Sequence, residues 1–167
     1  MFSAFYPDEY LDSTYEIDFE FFYKRGMRGV IFDIDNTLVP HDAPADKRAM
    51  ELFERLRRLG FATMLLSNNR EPRVKSFAEM VRTDYLYKAG KPKRGGYWQA
   101  MERMGTTERS TLFVGDQLFT DVWGAKRSGI YSILVKPIHP KEEIQIVLKR
   151  YLERIVLYFY EKERQGG

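Results

Sequence analysis

Short apolar runs that stop abruptly on a polar residue recur along this chain, and they constrain its fold more than any other feature. Gly29-Val30-Ile31-Phe32 runs into Asp33, Phe61–Leu66 into Ser67-Asn68-Asn69, and Leu112–Val114 into Gly115-Asp116, while Tyr85–Tyr87 leads on to Lys91-Pro92. A fifth run, Ile130–Val135, follows. Between the runs the spacing turns helical. Ala45–Leu59 sets Met50, Phe53, Leu56 and Leu59 on one face and ends at Gly60, and Pro72 opens a helix with Val74, Phe77 and Val81 on one face. Further helices are expected over about 93–104, over 119–127 with Gly129 closing it, and from about Pro140 to Glu163. Strands alternating with helices predict a parallel α/β sheet. Ligands of such sheets bind beyond the carboxyl ends of the strands. The polar residues that end the runs are therefore the candidates for function.

Composition narrows the chemistry. The chain has 167 residues, which suits one domain, with a core over about 29–135. It has no cysteine, so disulfides, thiolate metal sites and cysteine nucleophiles are excluded. His41 and His139 are its only histidines, too few for a structural zinc site, and any metal should be a hard cation held by oxygen. The net charge of +3 suits anionic substrates or anionic membrane surfaces without singling out either. No apolar run approaches the roughly 20 residues of a membrane span. The acidic N-terminal stretch lacks the basic start of a secretory signal. A cytoplasmic protein is expected, with a peripheral place on the inner membrane surface open to it.

Two stretches flank the core. The N-terminal one is rich in aromatics, Phe2, Phe5, Tyr6, Tyr10, Tyr15, Phe19, Phe21, Phe22 and Tyr23, which are expected to pack on the sheet or the last helix, with a dimer or membrane-facing surface as the other reading. The last helix carries Ile144, Leu148, Tyr151, Leu152, Ile155 and Phe159 in a wide stripe, with Val147, Val156 and Tyr158 beside it. A stripe of this kind is expected to cover a core.

Taken singly, the strand-end residues are ordinary. Asp-x-Asp pairs occur in turns, Ser67 suits a helix cap, Lys91 a solvated surface and Gly115-Asp116 a turn. Their order after successive strands is not ordinary: acids, a hydroxyl and a cation converge on one edge, and the only asparagines, Asn36, Asn68 and Asn69, lie in the same loops. Such a set suits phosphoryl transfer. Clustered carboxylates repel one another unless a divalent cation removes the cost. One carboxylate can attack phosphorus, and a second can protonate the leaving oxygen and then deprotonate water. A hydroxyl, a lysine and loop N–H groups can hold the equatorial oxygens.

Together these motifs resemble the four signatures of the haloacid dehalogenase (HAD) phosphatase superfamily: Asp33-Ile34-Asp35-Asn36-Thr37-Leu38-Val39, then Ser67, then Lys91-Pro92, then Gly115-Asp116 with Asp121. The resemblance implies a Rossmann-like fold of five parallel strands in the order 5-4-1-2-3, with helices on both faces. It implies Mg²⁺ as cofactor, Asp33 as nucleophile and metal ligand, and Asp35 as general acid/base with its backbone carbonyl on the metal. It further implies Asp116 as the third protein ligand, Asp121 beside the metal or its water, and Ser67 and Lys91 as phosphate clamps. Asn36, Thr37 and Asn68 are expected to support the phosphate loop. The spacing between the motifs leaves no room for a cap domain.

A narrower likeness is carried by Pro7-Asp8-Glu9-Tyr10, Tyr15-Glu16-Ile17, the Asp33–Val39 block and Leu134-Val135-Lys136-Pro137-Ile138, which together resemble the YqeG family of subfamily IIIA. That family is similar to phosphatidylglycerophosphate phosphatases. Its last helix often carries a Thr-Lys-Asn-Arg-like run, where this chain has Lys149-Arg150-Tyr151-Leu152-Glu153-Arg154. The expected substrate is a phosphomonoester, with a phospholipid head group as the first candidate and a nucleotide, sugar phosphate or phosphoprotein as alternatives. No nucleic-acid partner is expected, and the oligomeric state stays open. A phospho-receiver module also uses clustered acids, a hydroxyl and a lysine. It places its phosphorylated Asp after the third strand, whereas here the first strand carries Asp33 and Asp35 and the third delivers none.

Overall fold

A computed structural model describes residues 2–139 and 144–167, with side chains from 148 onward in the second stretch. The strand Gly29–Phe32 (β2) is buried along its whole length, as a central strand covered on both faces must be. It pairs in parallel with Ala62–Leu66 (β3) on one side and Thr111–Gly115 (β5) on the other. Asp84–Leu86 (β4) continues the sheet beyond β3, and Tyr131–Val135 (β6) continues it beyond β5. These five strands have the expected order. A sixth, Glu9–Leu11 (β1), adds in parallel outside β6 with Glu9 opposite Ile133 and Leu11 opposite Val135. The full order is β1-β6-β5-β2-β3-β4, so the expectation of five strands is corrected to six. At three residues, β1 is too short to show an alternating pattern, and it lies in the stretch read as peripheral.

The strands' two-residue period divides the core in two. Val30, Phe32, Leu65, Leu112 and Val114 face one layer, and Ile31, Met64, Leu66 and Phe113 the other. The first layer holds Phe19–Lys24 (α1), Lys47–Leu59 (α2) and Glu71–Val81 (α3). The second holds Arg94–Met104 (α4) and Trp123–Arg127 (α5), the latter continuing a π-helical segment over Leu118–Val122. Asp46 caps α2 by accepting the Ala49 N–H at 2.8 Å. Gly60 ends it at φ 103, and a Cβ there would meet the Tyr23 hydroxyl at 2.7 Å, so only glycine fits.

Most of the N-terminal aromatics are packing residues, Phe21 being exposed. Phe19 and Phe22 sit in the main core. Phe2, Phe5, Tyr6 and Tyr10 pack on a third cluster of Leu118, Val122, Leu134 and Val156, with Phe5 5.2 Å from Phe119 and Tyr6 5.1 Å from Tyr160 between ring centroids. The last helix, Ile144–Gln165 (α6), lies over this cluster. Its expected start at Pro140 falls outside the described residues, and so do the side chains of Ile144 and Val147. The stripe expected to cover a core does so only in part: Phe159 is half-buried against Phe2, with ring centroids 5.8 Å apart, but Leu148, Tyr151, Leu152 and Ile155 are exposed, as is Tyr158 beside them. Buried on the helix are Val156, from the expected apolar set, together with Glu153 and Tyr160. The physical reason is what α6 meets. Arg150 and Glu153 turn inward to charged and polar groups at the sheet edge, which rotates the apolar stripe outward.

Candidate active site

The loops after β2, β3, β4 and β5 bring the sequence-predicted residues to one edge. Asp33, Asp35, Asn36, Ser67, Asn68 and Lys91 all line a cavity of about 330 Å³. Asp33, Asp116 and Asp121 are buried, and each offers an oxygen within 4.8 Å of the others. The short link between β5 and the π-helical segment forces Asp121 back against the strand. A Cβ on Gly115 would lie 2.6 Å from the Asp121 carboxyl, so the residue at the end of β5 has to be glycine.

Two cations meet this charge. Lys91 Nζ donates to Asp33 Oδ1 at 2.9 Å and to Asp121 Oδ1 at 2.7 Å, with only 4% of its side chain exposed. Burial alone would lower the Lys91 pKa, but the Asp121 and Asp33 carboxylates outweigh it and hold the ammonium charged. Burial raises Asp121 to about 6, with Asp33 adding to the rise and Lys91 opposing it. Asp116 is also pushed well up, by burial and then by Asp33 and Asp121, with Arg150 opposing. Carboxylates raised in this way mark a site that is short of positive charge. The donor set is all carboxylate oxygen, without His or Cys, and fits a hard divalent cation.

The supporting residues take definite positions. Thr37 Oγ1 lies 3.1 Å from Asp33 Oδ2 and 3.2 Å from Asp116 Oδ1, so its one proton is shared between the two acids. Asn36 adopts φ 61, and its Oδ1 accepts the His139 N–H at 3.2 Å. Asn68 brackets Lys91: its Oδ1 accepts the Lys91 N–H at 2.8 Å, and its amide donates to the Lys91 carbonyl at 3.1 Å. Ser67 Oγ accepts the Asn69 N–H at 3.1 Å. The Asp35 carboxylate stands apart from the other three acids, held by Arg73 Nη2 at 2.9 Å and the Asp42 N–H at 2.8 Å, with His41 at 4.0 Å.

Sequence reasoning missed Arg73, Gln117, Thr120 and Arg150. Arg73 follows Pro72 at the start of α3, where a basic residue reads as a solvated one. Gln117 and Thr120 belong to the loop and π-helical segment after Asp116 and could have been found from that adjacency. Arg150 lies 34 residues beyond Asp116, on a helix whose Lys149–Arg154 run reads in the sequence only as a departure from the resembled family, with no place in the site.

The sheet order and the four strand-end motifs on one edge define a HAD-type phosphatase. A family model described as HAD-hydrolase-like matches residues 88–143. The probable phosphatase YqeG of Bacillus subtilis is 37% identical over 154 residues, 92% of this chain and 90% of that protein. The chain belongs to this YqeG family of HAD phosphatases. Phosphatidylglycerophosphate phosphatase 1 of Arabidopsis thaliana, chloroplastic/mitochondrial, is 27% identical over 90% of this chain, which spans 46% of that protein. Among solved structures, a HAD phosphatase from Thermococcus onnurineus shares the fold with a TM-score of 0.54 and 16% identity, over 71% of this chain and 90% of that one.

Proposed function

We propose that this phosphatase is a Mg²⁺-dependent phosphomonoesterase that works through an aspartyl-phosphate on Asp33. One observation carries the reading: Asp33, Asp116 and Asp121 converge within 4.8 Å, with Lys91 bonded to two of them. The Asp33 and Asp116 carboxylates and the Asp35 carbonyl would hold the cation, and Asp121 would stand beside it. Bound Mg²⁺ supplies positive charge that offsets carboxylate repulsion and the phosphate dianion. Asp33 attacks phosphorus, and the bond to the leaving oxygen breaks as Asp35 gives that oxygen its proton. Asp35 then takes a proton from water, whose oxygen attacks the phospho-Asp33 and frees phosphate. Ser67 and Lys91 hold the equatorial oxygens where charge accumulates. Asn36, Thr37 and Asn68 keep the loops in place.

The substrate we favour is a phospholipid whose head group ends in a phosphomonoester, with the enzyme lying peripherally on the inner membrane surface. Three features support this. The Arabidopsis relative is named for phosphatidylglycerophosphate. A second cavity, of about 230 Å³, meets the first at Arg150, holds Asp116 in its lining and is walled in part by Leu134, Val135, Pro137 and Leu157, room for an apolar part of a substrate. The outer face of α6 is apolar and exposed. Among the described residues, no helix is long and apolar enough to cross a membrane. The test is a turnover screen of purified protein with Mg²⁺ and with chelator. Phosphatidylglycerophosphate in mixed micelles should be hydrolysed at a far higher kcat/KM than nucleotide, sugar-phosphate or phosphopeptide substrates. A soluble phosphomonoester that outruns the lipid refutes the lipid reading, and full activity in chelator refutes the cation.

A further inference from the structure

The proposed reaction gives no task to Arg150. Arg150 belongs to α6, not to a strand-end loop, yet its guanidinium lines the catalytic cavity and is only 12% exposed. Nη2 donates to Asp116 Oδ2 at 2.5 Å. Nη1 donates to the Asp116 carbonyl at 2.6 Å and to Glu153 Oε2 at 3.1 Å. Glu153 is itself buried, and its Oε1 accepts the Leu118 N–H at 3.0 Å. One turn of α6 thus grips both ends of the 116–118 segment. The Asp116 oxygens are divided between two neighbours: Oδ2 faces Arg150, and Oδ1 faces the Thr37 hydroxyl that also bonds Asp33.

We propose that Arg150, oriented by Glu153, is a positioning residue for the cation site: it acts through Asp116, locking one carboxylate oxygen so that the other is presented beside Asp33. This makes α6 part of the active site. The inference rests on the cation reading above. Charge supports it as well as geometry. Asp33, Asp116, Asp121 and Glu153 against Lys91 and Arg150 leave two negative charges in the cluster, which one divalent cation offsets. A fork-shaped donor suits the task, because a guanidinium can bond the carboxylate and the carbonyl of one residue at once, which an ammonium cannot. Stability alone explains the pair poorly, since desolvation of buried ions offsets much of their attraction.

The test is calorimetric titration of Mg²⁺ into the full chain without substrate, with the Mg²⁺ dependence of turnover measured beside it. Arg150→Ala should weaken Mg²⁺ binding about 10- to 100-fold, the usual loss when the partner of a metal-bound group is removed. At saturating Mg²⁺ its kcat should return to within a few-fold of wild type, a split that a collapsed site would not show. Arg150→Lys should recover only part of the affinity. Lys149→Ala, which removes an exposed charge of the same sign on the preceding residue, should bind Mg²⁺ like wild type. If Arg150→Ala does not fold, Arg150→Lys and Glu153→Gln decide, each expected to weaken Mg²⁺ at least about threefold. Folded variants with wild-type Mg²⁺ affinity overturn the inference. A wild-type chain that takes up no Mg²⁺ overturns the cation reading as well, which separates the two failures.

Discussion

The carboxyl edge of the sheet and the outer face of α6 invert the usual order of a folded chain in opposite senses. At the edge, charge is buried: Asp33, Lys91, Asp116 and Asp121 are all inside. On α6, apolar surface is outside, with Leu148 62% and Tyr151 61% exposed. A buried charge is tolerable only with partners in place, because removing one leaves an uncompensated ion. An exposed Leu costs little, since it was exposed in the unfolded chain too. The edge should therefore be intolerant of change and the helix face permissive. The inward side of α6 belongs with the edge, because Arg150 and Glu153 bond to it.

The strongest break in this contrast is Asp33→Asn. It keeps shape and removes the attacking charge, so kcat should fall at least about 10³-fold. Folding should survive, since a carboxylate repelled by Asp116 and Asp121 is gone. Rapid-quench turnover and a melting curve on the same preparation check both halves. Near-wild-type turnover removes Asp33 from the mechanism.

Asp35→Asn should discriminate between substrates. The acid matters most when the leaving oxygen is a poor leaving group, so an alkyl phosphate should lose about 10²-fold or more in its first step, while an aryl phosphate with a good leaving group loses much less. Equal first-step losses on the two, read by single-turnover kinetics, would reduce Asp35 to a structural role alongside its partners Arg73 and Asp42.

A smaller effect follows from the raised acids. Burial pushes Asp121 up to about 6 in the folded chain, so near and below that pH a proton on Asp121 competes with a cation beside it. Apparent Mg²⁺ affinity should drop about tenfold from pH 7 to pH 5, following the Asp121 value of about 6. The melting-temperature gain from Mg²⁺ should shrink in step. The sign is fixed by the direction of the shift. With its pKa raised in the folded state, the apo chain loses the stability tied to Asp121 as pH rises through about 6, and Mg²⁺ offsets more of that loss at the higher pH. A pH-independent gain would mean that neither Asp116 nor Asp121 faces the cation.

Much of the edge was legible because loop spacing is short-range information. Asp33 directly follows the four-residue apolar run that forms β2, and Asp35 lies two residues further on, so the chain has little freedom in where they end up. Gly115-Asp116 is legible for the same reason. Strand order followed from the motifs' resemblance to a known superfamily. What escaped were contacts made across long separations by residues with an ordinary local reading. Arg73 reaches Asp35 over 38 positions, and Arg150 reaches Asp116 over 34. The α6 stripe failed differently. Periodicity reveals that a helix has an apolar face but not which face the rest of the chain covers, and here an ion pair outweighed the stripe. β1 was lost because three half-buried residues carry no pattern.

The smallest expected effect is on stability at the α6 face, and it is there that the lipid reading meets its sharpest test. Leu152→Ser with Ile155→Ser should change unfolding free energy by no more than about 0.5 kcal/mol each, as exposed positions do. Against vesicles the same pair should matter. An amphipathic helix with apolar and Tyr side chains outward and Lys149 and Arg154 exposed alongside suits an anionic interface. Wild-type protein should sediment with anionic vesicles at low salt and be released as salt screens the attraction. Lys149→Glu with Arg154→Glu should weaken sedimentation with little change in melting temperature, because exposed charges contribute little to folding. The serine pair should weaken it even at low salt, where electrostatics remain intact. Neutral vesicles should bind less than anionic ones. If wild-type protein stays in the supernatant with anionic vesicles at low salt, the exposed stripe is not a bilayer contact, and the lipid substrate keeps only the second cavity and the Arabidopsis relative in its support.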